Sequence, residues 1–278
     1  MNTVRDWLLS QSDLARLDCE LIACRRLRLN RAQIIAHPEH PISRTELAKL
    51  TTDAQRLRDG EPVAYLTGTR DFWNLTLEVT PDVLIPRSDT ETLVEQALER
   101  AREGDRILDL GTGSGAIAIA IETTMRAGSA DADVWGLDNS TAALEVARRN
   151  ATACNADVQF LNSDWFSALT GQFNMILANP PYVAAEDPQL QSLAYEPRTA
   201  LVSGEQGLAD LRRIVCTAPH FLDQGGWLLV EHGCDQGGSV TQLFADSGFT
   251  RVKTVKDLAN LDRITLGQLF QDEQASHG

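Results

Sequence analysis

The sequence predicts an α/β chain in which a small helical domain leads, through a β-hairpin, into a doubly wound, seven-stranded sheet. Three observations predict it. Up to about Arg70 the apolar spacing is helical with almost no strand signal. Between Phe72 and Ile85 it turns alternating and β-branched, and after Arg87 short apolar strands alternate with helices. The bounds that follow are 1–71 for the helical domain, 72–87 for the hairpin and 88–278 for the α/β domain.

In the helical part, Leu14, Leu17, Leu21 and Ile22 recur at helical spacing behind a cap at Ser12 or Asp13. Ser43 and Glu46 have capping-box spacing ahead of Leu47 and Leu50, Gly60-Glu61-Pro62 stops that helix, and a second short helix pair fits. In the hairpin, Leu75, Leu77 and Val79 share one side and Thr80-Pro81-Asp82 supplies turn chemistry. Strands are expected at 106–110, 134–138, 158–162, 175–179, 227–231, 251–255 and 263–270. Helices are expected at about 88–102, 115–125, 140–152, 207–222 and 238–246, and the polar tail 271–278 is expected to fray.

Composition narrows the function classes. The 278 residues suffice for one large domain with a small companion, and 43% hydrophobic with 23% charged residues is ordinary for a globular protein. No apolar run approaches the roughly 20 residues of a membrane helix. The start, with Arg5 and Asp6, lacks the apolar stretch of a secretory signal, so a cytoplasmic location is expected. Cys19, Cys24, Cys154, Cys216 and Cys234 are scattered without a C-x-x-C pair, which suits reduced thiols. His37, His40, His220, His232 and His277 form no ligand-spaced cluster with carboxylates, so no metal is expected.

The net charge of −14 is uneven. Residues 1–75 carry 11 basic and 10 acidic side chains, which leaves 14 and 29, a net of −15, for residues 76–278. Nucleic-acid affinity comes largely from Lys and Arg neutralising phosphates, so direct nucleic-acid binding is not expected, although a basic patch can sit within a negative total.

The chemistry starts at Arg106-Ile107-Leu108-Asp109-Leu110, a buried strand that runs into Gly111-Thr112-Gly113-Ser114-Gly115 and then a helix. Glycines allow the sharp turn and let a ligand touch backbone, while N–H groups at the helix start receive a carboxylate or phosphate. Such a loop alone does not choose between NAD and S-adenosylmethionine. Glycines at every second position, rather than G-x-G-x-x-G, favour the sulfonium cofactor. Asp109 favours it too, because a negative charge suits the methionine amino group and sits badly beside a pyrophosphate. Asp138 closes the second strand, where a carboxylate can accept both ribose hydroxyls. Asp164 follows the third, placed to accept from the adenine amino group, and Trp165 either covers the ring face or fills the core.

The fourth strand delivers Asn179-Pro180-Pro181-Tyr182 to the carboxyl edge of the sheet, where ligands of open α/β folds bind. Two successive prolines remove two N–H donors and hold Asn179 and Pro180 extended, so their carbonyls lack a local partner. The lone pair of an amide or aromatic amine is delocalised, so the nitrogen attacks a methyl sulfonium only if reoriented and desolvated. The Asn179 side-chain oxygen and the Pro180 carbonyl would accept its two N–H bonds and line it up for in-line displacement, with Tyr182 stacked on the planar acceptor. These residues leave a glutamine-type amide and an adenine-type amine equally suited.

Over nearly its whole length the chain resembles the release factor glutamine methyltransferases, the HemK/PrmC family. Besides the two motifs, the stretches that carry the resemblance include Arg58-Asp59-Gly60-Glu61-Pro62, Gly68-Thr69-Arg70-Asp71-Phe72-Trp73 and Leu84-Ile85-Pro86-Arg87. Further on they are Ser163-Asp164-Trp165-Phe166, Glu196-Pro197 and Glu231-His232-Gly233, while Ser88 departs from the usual proline after the arginine. The resemblance implies a Rossmann-like, seven-stranded class I methyltransferase domain. It implies N5-methylation of the glutamine in the Gly-Gly-Gln loop of class-one peptide chain release factors, which modulates translation termination, with S-adenosylhomocysteine as product. It puts cofactor contacts on Gly111, Thr112, Gly113, Ser114, Gly115, Asp138, Trp165 and Asn179, and acceptor contacts on Asn179, Pro180, Pro181 and Tyr182. Arg87 and Glu196 are either substrate contacts or a structural ion pair. Residues 1–75 become a docking arm for the release factor, and a monomer is expected.

The rivals are an N-methyltransferase acting on an exocyclic amine of a DNA or RNA base, an inactive interaction protein, and a nicotinamide oxidoreductase. A flipped base calls for clustered basic residues, and the chain offers Arg25-Arg26-Arg28-Arg31 at most.

Overall fold

The computed structural model describes residues 3–270, so the predicted polar tail and His277 lie outside the described residues. Two compact units divide between Thr69 and Arg70.

The first unit holds helices α1 (Val4–Ser10), α2 (Arg16–Leu27), α3 (Arg31–Ala36), α4 (Arg44–Arg58) and α5 (Val63–Thr67). Reciprocal side-chain caps start three of them, Thr3 with Asp6, Asn30 with Gln33 and the expected Ser43 with Glu46, satisfying N–H groups that a helix start leaves unpaired. The expected cap at Ser12 or Asp13 is not used. Helix α2 begins behind Ala15, which gives no side-chain cap, and Asp13 instead receives the Arg58 guanidinium at 2.6 Å. Leu17 is 49% exposed, and the buried face of α2 is Cys19, Ile22, Ala23 and Leu27. The spacing was helical but its phase was set by packing, since Cys19 and Ala23 are small enough to lie against neighbouring helices. Trp7, Ile34, Ile42 and Leu50 complete this core.

The hairpin pairs β1 (Thr69–Phe72) with β2 (Leu75–Glu78). It reverses at Trp73-Asn74, with Trp73 left-handed at φ 56°, not at the expected Thr80-Pro81-Asp82. Burial of Phe72 and Leu77 and the Trp73 Nε1 bond to Thr124 Oγ1 (2.9 Å) fix that register.

A 3-10 turn, Ser88–Thr90, leads into α6 (Glu91–Leu98). The parallel strands are β3 (Arg106–Leu110), β4 (Asp133–Asp138), β5 (Val158–Asn162), β6 (Phe173–Ala178) and β7 (Leu222–Glu231). Between them run α7 (Ala116–Ala127), α8 (Thr141–Ala153), the short α9 (Gly204–Gly207) and α10 (Ala209–Thr217). After α11 (Gly237–Asp246) come β8 (Phe249–Lys256) and β9 (Asp262–Leu269), and β9 inserts antiparallel between β7 and β8. The order is β5-β4-β3-β6-β7-β9-β8. The expected helix 207–222 is split because Pro219 has no N–H to continue α10. Strand β7 starts five residues before its apolar run, where Gly225 and Gly226 hide it from periodicity.

Alternation sends Leu108, Leu110, Ile176, Ala178, Leu228 and Val230 into one core layer and Ile107, Met175, Leu177 and Leu229 into the other. With both faces covered, the carboxyl edge of the parallel strands is where function-bearing side chains emerge. No helix among the described residues is long and apolar enough to cross a membrane.

Candidate active site

At that edge lies a cavity of about 290 Å³, near the lower end of the usual range for small-molecule sites. Gly111, Gly113, Asp138, Trp165, Asn179 and Pro181 line it, all from the motifs singled out in the sequence. Pro81–Leu84, Asn139, Ser140, Ser163, Pro197, Thr199 and Ala200 also line it and were not anticipated.

The glycine loop is pinned from beneath. Thr112 N donates to Leu137 O (2.7 Å), Thr112 Oγ1 donates to Asp109 Oδ2 (2.6 Å), and Ser114 O accepts from Asn150 Nδ2 (2.9 Å). Thr112 and Ser114 are buried, so the loop shows the cavity Gly111 and Gly113, at φ 72° and 54°. Gly115, at φ 83°, starts α7, and a Cβ there would lie 2.9 Å from Ile119 Cδ1. Gly111 is covered by the Trp165 ring, which a Cβ would meet at 3.4 Å.

Asp109 lies under this loop, not on the cavity wall. It is fully buried, Oδ1 has no hydrogen-bond partner among the described residues, and burial pushes its carboxyl up to about 7. Asp138 does reach the cavity. Its Oδ2 accepts from Gly113 N and its Oδ1 from Ser140 N, each at 2.9 Å, so loop and carboxylate are locked while further lone pairs remain. Burial raises its carboxyl above the usual range, against those backbone bonds.

Asp164 departs from expectation. Both its oxygens take Arg213 nitrogens at 2.9 Å on the exposed surface, so it is turned away from the cavity, and Ser163 holds the wall position. Trp165 is left-handed at φ 50°. Its ring lines the cavity and packs on the core, and Nε1 donates to Asp210 Oδ1 at 3.2 Å.

Asn179 emerges one residue past β6. Its Nδ2 donates to Thr90 Oγ1 at 3.1 Å, and its Oδ1 accepts nothing from the described residues. No described donor meets the Pro180 carbonyl either. Tyr182 is half-buried, and its hydroxyl donates to Glu231 Oε1 at 3.1 Å. Burial, with the Glu231 charge beside it, raises the phenol well above its usual value. The Tyr182 carbonyl accepts from Gln236 Nε2 at 3.1 Å.

Arg87 and Glu196 form an ion pair. Glu196 is buried, and its second oxygen accepts from Ile85 N at 3.1 Å. Both side chains therefore fasten the segment that carries Pro81–Leu84 along the cavity. Thr90 and Glu231 carry polar contacts to the acceptor tetrapeptide that periodicity could not reveal, because they come from a turn and a strand far apart in sequence. No group of three or more His, Cys, Asp or Glu among the described residues could hold a metal ion.

Residues 88–255 match the family described as methyltransferase small domain, and residues 7–68 match the PrmC N-terminal domain. A release factor glutamine methyltransferase of Vibrio cholerae is 43% identical over 272 residues, covering 96% of this chain and 94% of the relative. Relatives of the same name from Yersinia pestis (46% identical, covering 93% and 94%) and Escherichia coli K12 (43%, covering 95% of each) agree. Among solved structures, a Pyrococcus furiosus methyltransferase superposes with TM-score 0.54 at 17% identity, covering 80% of this chain and all of that one. A T. thermophilus 16S rRNA methyltransferase in complex with AdoMet and guanosine gives 0.55 at 20% identity, covering 72% and 49%. These two are similar in fold.

Proposed function

This chain belongs to the release factor glutamine methyltransferase family, and from that premise we infer that it methylates the side-chain amide of a release factor glutamine, with S-adenosylmethionine as methyl donor. We place the methyl on N5 of the glutamine in the Gly-Gly-Gln motif of class-one factors, where it modulates translation termination.

The residues fit the cofactor. Gly111 and Gly113 give a ligand close backbone approach, Asp138 offers carboxylate lone pairs, and the Trp165 ring offers an apolar face. The buried Oδ1 of Asp109 is an unpaired acceptor beneath the loop, and an ammonium group bound near it would favour the ionised carboxylate. When bound, the cofactor supplies an electrophilic methyl group on a sulfonium.

One observation carries the acceptor chemistry. With Nδ2 of Asn179 committed to Thr90, its Oδ1 is left to accept at the cavity. The next carbonyl, that of Pro180, is also without a donor. Two acceptors in succession match the two N–H bonds of a primary amide and fix its nitrogen without a general base. Pro181 holds that backbone extended, and Tyr182, its hydroxyl anchored, fixes the far side of the tetrapeptide. The unit ending at Thr69 is the docking arm, the partner is a protein and not a nucleic acid, and the enzyme works as a cytoplasmic monomer.

Asn179→Ala is expected to abolish transfer with cofactor affinity largely kept. Mass spectrometry of a release factor after incubation, with calorimetric titration of S-adenosylmethionine, checks this. Unchanged methylation by the variant refutes the acceptor role, and a methylated oligonucleotide beside an untouched release factor refutes the substrate.

A further inference from the structure

We propose that Asp210 is a positioning residue for the cofactor: by taking up the Nε1–H, its carboxyl fixes which way the Trp165 indole is set on the cavity wall. The proposal rests on the reading that S-adenosylmethionine occupies this cavity.

The backbone of Trp165 is left-handed at φ 50°, which a non-glycine residue keeps only where its surroundings impose it, and its carbonyl accepts from Ser163 Oγ at 2.7 Å. These features hold the main chain. They leave the ring free to turn over about its Cβ–Cγ bond, a torsion with two broad settings of nearly equal bulk. In the observed setting Cζ3 and Cη2 stand 3.4 and 3.6 Å from the Cβ that Gly111 lacks, so the far edge of the ring covers the glycine loop. Turned over, the ring would carry its N–H to the other side.

Hydrogen bonding makes the choice. An indole nitrogen only donates, and Nε1 of Trp165 donates to Oδ1 of Asp210 at 3.2 Å. Asp210 does not itself line the cavity, so the one polar atom of the ring is spent off the wall. The carboxyl is locked in turn. Its other oxygen, Oδ2, accepts from Ser203 Oγ at 2.7 Å, and the Asp210 N–H donates back to that hydroxyl at 3.0 Å. A backbone N–H cannot accept, which leaves the Ser203 proton for Oδ2 and commits both carboxyl oxygens as acceptors. Ser203 is 3% exposed, and its N–H donates at 3.0 Å to the carbonyl of Val183, the residue after the acceptor tetrapeptide. The ring over the glycine loop and the chain leaving the tetrapeptide therefore share one anchor, in the first turn of α10.

Cofactor affinity of the full chain is read by calorimetry in a cycle of Asp210→Ala, Trp165→Phe, which keeps a ring without the N–H, and the double variant. Asp210→Ala is expected to weaken the Kd for S-adenosylmethionine about fivefold in the wild-type background. In the Trp165→Phe background it is expected to change Kd by less than about twofold, because the carboxyl has no N–H to hold there. Asp210→Asn keeps an acceptor oxygen and is expected to bind within about twofold of wild type. Wild-type affinity in Asp210→Ala, the same factor lost in both backgrounds, or an Asp210→Asn enzyme as weak as Asp210→Ala overturns the proposal. If Asp210→Ala does not fold, Asp210→Ser, which keeps a polar side chain in the first turn without the second oxygen, runs the same cycle and decides by the same outcomes. Failure of the cavity reading is distinct, because then Trp165→Ala itself leaves the Kd unchanged.

Discussion

At Asp109, burial sets a pH response that can be read by its sign. The folded carboxyl is raised to about 7 from an ordinary 3.8, so the native state holds a proton that the unfolded chain has released between those values. Its contribution to stability is complete below about pH 4 and is lost as pH rises through 7. Asp109→Asn, which cannot ionise, is expected to gain in Tm relative to wild type across that window. A difference in Tm that stays flat from pH 4 to 8 rules this out. Glu231, also raised to about 7 by burial, acts with the same sign. Asp164 is the contrasting acid. Because its carboxylate pairs with Arg213 on the exposed surface, Asp164→Asn is expected to leave cofactor affinity within about twofold, and the lost ion pair is worth about 0–1 kcal/mol. A tenfold weaker cofactor in titration would return Asp164 to the cavity wall.

At the scale of elements, the tetrapeptide is held by what packs behind it. Glu205 and Gln206 of α9 are left-handed, and Gly207 at φ 90° passes so close that a Cβ would lie 2.1 Å from the Tyr182 carbonyl oxygen. Gly207→Ala must move either α9 or Tyr182. The left-handed strain alone, about 1–2 kcal/mol, would lower Tm by roughly 2–8 °C in a chain of this size. A concurrent fall in kcat is expected, and an unshifted melting curve would show that α9 does not press on Tyr182. The Arg87 and Glu196 pair does the same for the segment along the cavity, tying Ile85 to a buried carboxylate. The sequence left Arg87 and Glu196 open between substrate contacts and a structural ion pair, and the fold brings them together as an ion pair.

Over the whole molecule, charge and docking are linked. Arg26 and Arg31 are committed to Asp53 and Glu20, while Arg25 and Arg28 are exposed. Under the proposed docking role, Arg25→Glu with Arg28→Glu is expected to raise KM for the release factor several-fold. Cofactor affinity should stay unchanged, and the effect should shrink at high salt, where exposed charges are screened. Steady-state kinetics at two ionic strengths decide it, and an unchanged KM would exclude this face from docking.

Periodicity and glycine spacing alone located all seven strands of the large sheet, the loop at Gly111–Gly115 and the tetrapeptide at Asn179, because each is a local signal written in consecutive residues. The Ser43 and Glu46 cap was legible for the same reason. Local signals did not give phase or aim. The turn of the hairpin moved to Trp73-Asn74, the buried face of α2 shifted from Leu17 and Leu21 to Cys19, Ile22, Ala23 and Leu27, and Asp109 and Asp164 took positions under and outside the cavity. Those outcomes depend on which surfaces meet in three dimensions. So does the setting of Asn179, whose Nδ2 meets Thr90 Oγ1 only because β6 and the turn before α6 come together. That partner lies 89 residues away in the chain, beyond the reach of any pattern in consecutive residues.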